Sequence, residues 1–274
     1  MAKPLLLFLT DLTNGAEEED MLIRDFLRRD FDVALMHPRD CEPFEDAADA
    51  IIIRNTWNTK DYGKPEPWYG RWRAKPWLPI HDDLYVREYE QDDSDGWKGY
   101  LLWLSRNGFP VIPTVDRVGD IGQLPNGGDY FIKPKNGFSG INARRLSRDE
   151  LLALAPRHYL IQPFIDFTYE ISFYYLDGKL QYVLYAPDTR KRWELEEFDP
   201  SERDIAFAKV FIDWDRQKRG IIRVDACRTE TGDLLLTEVT DQGGVFLSVT
   251  RLSDTTRGRF LENLSRSIRA VAGT

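Results

Sequence analysis

Residues 223–244 read RVDACRTETGDLLLTEVTDQGG, and two acids, Asp225 and Glu238, stand inside otherwise apolar, strand-like runs on either side of a turn. A carboxylate carried into apolar surroundings is costly unless a cation or hydrogen-bond donors meet it. Taking Thr229 to Gly232 as the turn sets Arg228 opposite Asp233 and Arg223 opposite Glu238, with Asp225 one diagonal step away. Side chains alternate faces along a strand. Arg223, Asp225, Glu238 and Thr240 therefore share one face, and Val224, Ala226, Leu235 and Val239 take the other. A slip of one residue would split the set. Two carboxylates and a hydroxyl on one face suit a hard divalent cation such as Mg²⁺, which prefers oxygen ligands and keeps waters and phosphate oxygens. A plain ion pair between Arg223 and Glu238 on a solvated face accounts for the hairpin at least as simply. The stretch alone leaves both readings open.

Outside this hairpin, composition narrows the class. A chain of 274 residues with 42% hydrophobic and 30% charged residues is of globular type and long enough for roughly two domains. A net charge of −9 argues against a nucleic-acid partner, because non-specific affinity for phosphate backbones rests on Lys and Arg. Cys41 and Cys227 are too few and too far apart for a metal knuckle or a disulfide framework, and read as free thiols in a reducing compartment. No apolar run is long enough to cross a membrane, so the expectation is a cytoplasmic protein with small-molecule partners, with which a homo-oligomer is compatible.

The chain divides by pattern. PLLLFLT (4–10), FDVALM (31–36) and AIIIRNT (50–56) are apolar strand-like runs, with a helix over EEEDMLIRDFLRRD (17–30) between the first two. That alternation predicts a parallel, Rossmann-like sheet over residues 1–95. No G-x-G-x-x-G follows the first strand, so a dinucleotide is not implied. Residues 57–95 are Trp-rich, Pro-interrupted and acidic toward their end, and read as a connection; WYGRWRAKPW (68–77) reads as packing or a pocket rim. A helix is expected over 96–108, strands over 129–134, 141–146 and 158–164, and a capped helix over 147–155. YEISFYYLDGKLQYVLY (169–185) is a hairpin turning at Asp-Gly, followed by helices over 201–215 and at the C-terminus. These hairpins and separate helices indicate an α+β region, with units drawn at 96–166 and 167–274.

A second chemical signal is FIKPKNGFSG (131–140), in which a strand delivers Lys133 into a loop with Gly137, Ser139 and Gly140. Small residues let backbone N–H groups approach phosphate oxygens, and the lysine supplies a point charge. It is not a Walker A loop. The three histidines sit in unremarkable contexts and no nucleophile motif is visible.

In their order, these pieces resemble the ATP-grasp superfamily of carboxylate–amine ligases, the class of D-alanine–D-alanine ligase and glutathione synthetase, from Lys98 onward. WKGYLLWLSRNGFPVIPT is similar to that superfamily's entry segment, and FIKPKNGFSG to its strand and flexible phosphate loop. The resemblance implies an ATP-grasp fold behind a Rossmann-like pre-ATP-grasp domain, with ATP and Mg²⁺ as cofactors. It makes Lys98 and Lys133 phosphate ligands, with Ser139 and Gly140 in the loop that closes over them. LIQPFID resembles the adenine hinge, placing backbone groups near Gln162, Phe164 and Ile165 at the base, and Glu170 matches the ribose acid. Arg223, Asp225 and Glu238 match the basic residue and the two metal carboxylates.

One position departs from the family. Thr240 stands where an Asn is usual, which puts the number of metal ions in question. IIIRNTWN (51–58) resembles a segment of the cyclo-ligase in cycloserine biosynthesis, which implies an amino-acid-like substrate held by Arg54. DTRKRW (188–193) offers Arg190 and Arg192 near an acyl phosphate, or a solvated loop. The function implied is an ATP-dependent ligase joining a carboxylate to an amine through an acyl phosphate, releasing ADP. An ATP-grasp small-molecule kinase and a non-catalytic ATP-binding module are the rivals.

Overall fold

The computed structural model describes residues 2–13, 16–54, 98–125, 128–135, 140–215, 219–241 and 246–272. The aromatic and basic run at 68–77, residues 55–58 of the cyclo-ligase-like segment, and Ser139 lie outside the described residues.

Strands β1 (Leu5–Leu9), β2 (Asp32–Met36) and β3 (Ala50–Ile53) form a parallel sheet in the order β2-β1-β3. Their apolar runs are continuous because both faces are covered. Leu6, Phe8 and Ile52 pack with Ile23 and Leu27 of helix α1 (Glu18–Leu27), while Leu7, Leu9, Ile51 and Ile53 enclose Cys41. Cys41 leads into the short helix α2 (Glu42–Glu45). The first turn of α1 carries Glu18, Glu19 and Asp20, where negative charge suits the helix dipole.

Beyond residue 98 the sheets are antiparallel. Helix α3 (Tyr100–Arg106) precedes a small sheet of β4 (Tyr130–Pro134), β5 (Arg144–Leu146) and β6 (Tyr159–Pro163), in the order β5-β4-β6. Helix α4 (Arg148–Leu154) carries the expected capping box, Ser147 with Glu150. A larger sheet holds β7 (Phe167–Leu176), β8 (Lys179–Ala186), β9 (Glu196–Glu197), β10 (Ile221–Thr229) and β11 (Leu234–Asp241), in the order β11-β10-β7-β8-β9. β7 turns into β8 at Asp177 and Gly178, both at positive φ (51° and 70°), as Asp-Gly predicts. Helix α5 (Glu202–Asp215) covers one face of this sheet, its start held by reciprocal hydrogen bonds between Ser201 and Asp204.

Residues 100–111, grouped on sequence with the small unit, pack instead on the larger sheet. Tyr100, Leu101, Leu104 and Val111 share a core with Phe173, Val224, Leu236 and Phe211. The opposite face joins the molecule together. Tyr174, Leu176, Tyr182 and Leu184 meet Leu6, Phe8 and Ile52, with Phe260, Leu264 and Ile268 of helix α6 (Asp254–Ala272) closing the same core. Each fully buried Leu, Ile or Phe here contributes roughly 1.5–3 kcal/mol.

The β10–β11 hairpin corrects the expected register. The Thr229 N–H donates to the Asp233 carbonyl, so Arg228 pairs with Leu234 instead of Asp233. A bulge then inserts Thr237: Ala226 faces Leu236, but Asp225 faces Glu238 directly, and Arg223 faces Thr240. Each irregularity shifts the pairing by one residue, and together they restore the expected face for both acids. Leu235 pays the difference. It pairs with Cys227 on the polar side, while Leu234 and Leu236 are the buried ones.

Candidate active site

The sheet face opposite α5 gathers side chains from three adjacent strands. Asp225 of β10 lies across from Ser172 of β7 on one side and Glu238 of β11 on the other. The same alternation places Arg223 between Tyr174 and Thr240, and Cys227 beside Glu170. Directly opposed side chains have Cβ atoms about 4.5–5.5 Å apart, close enough for two carboxylates to share one cation.

Each acid has resident partners. The Ser172 hydroxyl donates to Asp225 Oδ1 at 2.6 Å, and Arg223 Nε lies 2.8 and 2.9 Å from Oδ1 and Oδ2. Arg223 also donates to the Phe246 carbonyl at 3.2 Å. Lys98 Nζ sits 2.9 Å from Glu238 Oε1. Burial alone would raise the Glu238 pKa, but the charges of Lys98 and Lys133 outweigh it and hold the group below its ordinary value.

The two lysines reach this face from different elements. Lys98 precedes α3, and its backbone N–H bonds the Lys135 carbonyl at 3.1 Å, so it is fixed to the end of the small sheet. Lys133 leaves β4 and donates from Nζ to the Thr237 carbonyl at 2.9 Å. The bulge therefore brings Glu238 opposite Asp225 and turns an acceptor toward Lys133. Burial pushes the Lys133 ammonium down to about 8; the nearby Glu238 charge opposes that fall and the like charge of Lys98 adds to it.

The remaining expected residues are placed unevenly. Gln162 is buried, with its amide donating to Thr114 Oγ1 at 2.8 Å. The Phe164 N–H is already engaged with the Asp129 carbonyl at 2.8 Å, and its ring lies under the Arg145 guanidinium; Ile165 follows, half-buried. Glu170 accepts from Arg192 Nε at 2.8 Å, so Arg192 stands at the acid expected to hold the ribose. Arg190 does not join it: the side chain is 87% exposed and held by Asp188 at the surface. Gly140 adopts φ +71°, where a side chain would be strained. Burial, with Glu170 next, pushes the Cys227 thiol up to about 11, so it is no thiolate at neutral pH.

Arg54, expected to hold an amino-acid-like substrate, is 1% exposed and bound by two resident carboxylates, Glu19 and Asp20 at the start of α1. Glu19 also accepts the N–H groups of Leu247 (2.8 Å) and Val249 (3.2 Å), and Thr10 donates to Asp20 at 2.6 Å. This cluster fastens the first sheet to the segment that follows the carboxylate hairpin. Sequence reading missed Ser172, whose signal was its place two residues after Glu170 on an alternating strand, and Glu19 and Asp20, which read only as a helix start.

Comparison with solved structures settles the frame. The structure superposes on D-cycloserine synthetase DcsG with a TM-score of 0.67 at 19% identity, over 96% of this chain and 99% of that one. D-alanine–D-alanine ligase from Bacillus anthracis, complexed with ATP, matches at 0.66 and 12% identity, over 98% and 99%. The chain has the ATP-grasp fold. A third ATP-grasp structure, macrocyclase MdnC from Microcystis aeruginosa MRC bound with precursor peptide MdnA, matches at 0.64 and 11% identity, over 96% and 100%. Neither a protein-family profile nor a curated protein sequence matches this chain.

Within this ATP-grasp frame the donor set fits a hard divalent cation. Asp225 and Glu238 are opposed in register and Ser172 orients the first. Among the described residues no group of three or more His, Cys, Asp or Glu could hold an ion. Two carboxylates suit Mg²⁺ when waters and phosphate oxygens complete its shell.

Proposed function

We propose that this protein is an ADP-forming ATP-grasp ligase that joins a carboxylate to an amine or similar nucleophile, with an amino-acid- or peptide-like substrate. The observation that carries the reading is the convergence of Lys98 and Lys133, from the small-sheet side, on Asp225 and Glu238, paired across β10 and β11. That is a set of charges suited to a metal-bound polyphosphate. The structural neighbours support it: they include a ligase complexed with ATP and the ATP-grasp ligase PsnB complexed with Mg and ADP.

In such a transfer a substrate carboxylate oxygen bonds to the γ-phosphorus as the bond to the ADP oxygen breaks. The amine nitrogen then bonds to the carbonyl carbon, phosphate leaves, and the nitrogen loses its proton. The protein's part is positioning and charge neutralisation. Lys98 and Lys133 would take phosphate oxygens, and Asp225 and Glu238 would hold Mg²⁺, which supplies charge neutralisation between the phosphates when bound. Arg223 and Ser172 keep Asp225 in place. Glu170, shared with Arg192, would receive the ribose, and backbone groups from Gln162 at the end of β6 to Ile165 would lie along the base. Thr240 would offer a hydroxyl beside the metal, facing Arg223. Arg54 holds the pocket's frame in this reading, and Arg190 stays outside it.

The test is ADP release across amino acids and dipeptides, with hydroxylamine to trap an activated carboxyl. Wild type releases ADP and forms a hydroxamate, and Glu238→Gln loses both by about a hundredfold or more. A stable phosphate ester in place of hydroxamate would identify a kinase. Nucleotide binding with no ADP from any acceptor would identify a binding module. Unchanged turnover in Glu238→Gln would refute the metal assignment.

A further inference from the structure

The carboxylate face is already charge-balanced without any ligand. Arg223 neutralises Asp225 and Lys98 neutralises Glu238, both within ion-pair distance. Lys133 adds a further cation, bonded to the carbonyl next to Glu238. The nearby Glu170 is matched by Arg192. A bare divalent cation approaching this face meets a cluster whose local charge is zero without Lys133 and positive with it. It would also have to displace an ammonium whose side chain is 11% exposed, leaving that ammonium desolvated and unpaired. A triphosphate changes the arithmetic. It brings oxygen acceptors for both lysines, so Lys98 can exchange Glu238 for phosphate without losing a partner, and Glu238 is released as that exchange occurs.

We propose that Lys98 serves as the resident counter-ion of Glu238 and excludes divalent metal from the ligand-free protein until a polyphosphate draws the lysine away. The inference rests on the nucleotide-binding reading above and adds to it an order of arrival: metal enters with, or after, the nucleotide. It gives Lys98 two partners in sequence, the carboxylate first and the phosphate second. The geometry also explains why the two acids need not attract stray cations despite lying directly opposite each other.

The probe is Mn²⁺, whose free hexaaquo signal is read by electron paramagnetic resonance, with the full chain and no nucleotide present. Removing the lysine charge in Lys98→Met should tighten nucleotide-free Mn²⁺ binding by about tenfold or more, the scale expected for losing one unit charge a few ångströms from the site. Lys98→Gln should behave alike and guards against a packing artefact in the first variant, circular dichroism confirming that each is folded. Lys98→Arg, which keeps the charge, should exclude Mn²⁺ as wild type does. Adding a non-hydrolysable ATP analogue to wild type should bring Mn²⁺ onto the protein, read as a loss of free signal beyond that caused by the analogue alone. The proposal is overturned if wild type binds Mn²⁺ alone as tightly as the charge-free variants do. It is overturned equally if folded Lys98→Met and Lys98→Gln gain nothing. Failure of wild type to bind the analogue with or without metal would instead refute the nucleotide reading itself.

Discussion

Lys133 is the group whose removal separates the demands of folding from those of ligand binding. Burial holds its ammonium at about 8, against an ordinary value of 10.5. A folded pKa below the unfolded one means that the unfolded chain binds the proton more tightly. The resulting cost to stability is full below about pH 8 and is relieved as pH rises from there toward 10.5. At about 1.36 kcal/mol per pH unit the cost is about 3 kcal/mol at pH 7, and roughly 1 kcal/mol remains at pH 9.5. Lys133→Met removes this term. It also leaves the Thr237 carbonyl without its donor, which costs about 1–3 kcal/mol at either pH. The absolute change at pH 7 is therefore small, but the gap between variant and wild type should move by about 2 kcal/mol between pH 7 and 9.5, the variant losing ground as pH rises. Urea unfolding of nucleotide-free, metal-free protein at the two pH values reads this directly. The variant should bind ATP weakly at both. A stability gap that does not change with pH would refute the account of Lys133 as a charge held against its solvation preference.

Two further substitutions test the supports of the site. Arg54→Met leaves Glu19 and Asp20 without the guanidinium they share, at a position 1% exposed, and should destabilise the protein by about 3–5 kcal/mol in chemical unfolding; a loss below about 1 kcal/mol would show that the cluster is not structural. Ser172→Ala removes the 2.6 Å hydrogen bond to Asp225 and should weaken ATP binding in the presence of Mg²⁺ by about tenfold, with metal-free ATP binding unchanged and Ser172→Thr restoring it. Equal weakening with and without Mg²⁺ would remove Ser172 from the metal side of the site.

The elements that local patterning determines were legible from the residues. Parallel β1–β3 followed from continuous apolar runs, the β7–β8 hairpin from Asp-Gly, and the start of α4 from Ser147 and Glu150. The common face of Asp225 and Glu238 was legible too, though by a route the structure amends. A shift at the turn and the bulge at Thr237 each invert the pairing, and only their sum preserves the face. Bulges depend on what packs around a strand, here Lys133 donating to the Thr237 carbonyl from another sheet, and alternation within one strand cannot show that. Arg54 and Arg190 show the same limit from the other side. Arginine is suited to carboxylates wherever it occurs. Whether the carboxylate is a substrate's or the protein's own depends on partners distant in sequence, Glu19 and Asp20 for Arg54, or near in a surface loop, Asp188 for Arg190.

The supports of the hairpin explain why the first sheet matters to chemistry that none of its strands contains. Asp225 is positioned by Arg223, and Arg223 is held by the Phe246 carbonyl. The next residues, Leu247 and Val249, give their N–H groups to Glu19, while the Leu247 carbonyl accepts from Tyr182 at 2.8 Å. Glu19 is fixed in turn by Arg54 at the end of β3. A buried carboxylate spanning two backbone amides and a guanidinium has little freedom to move without exposing an unpaired group. The segment at 246–249 is thus gripped by its amides from α1, which packs on the parallel sheet, and by its carbonyls from the antiparallel sheet. Any displacement of the first sheet relative to the larger one must strain this grip before it reaches the apolar core they share. Asp225 then takes its position from both sheets, so the carboxylate pair is set by the assembled molecule and not by the hairpin alone.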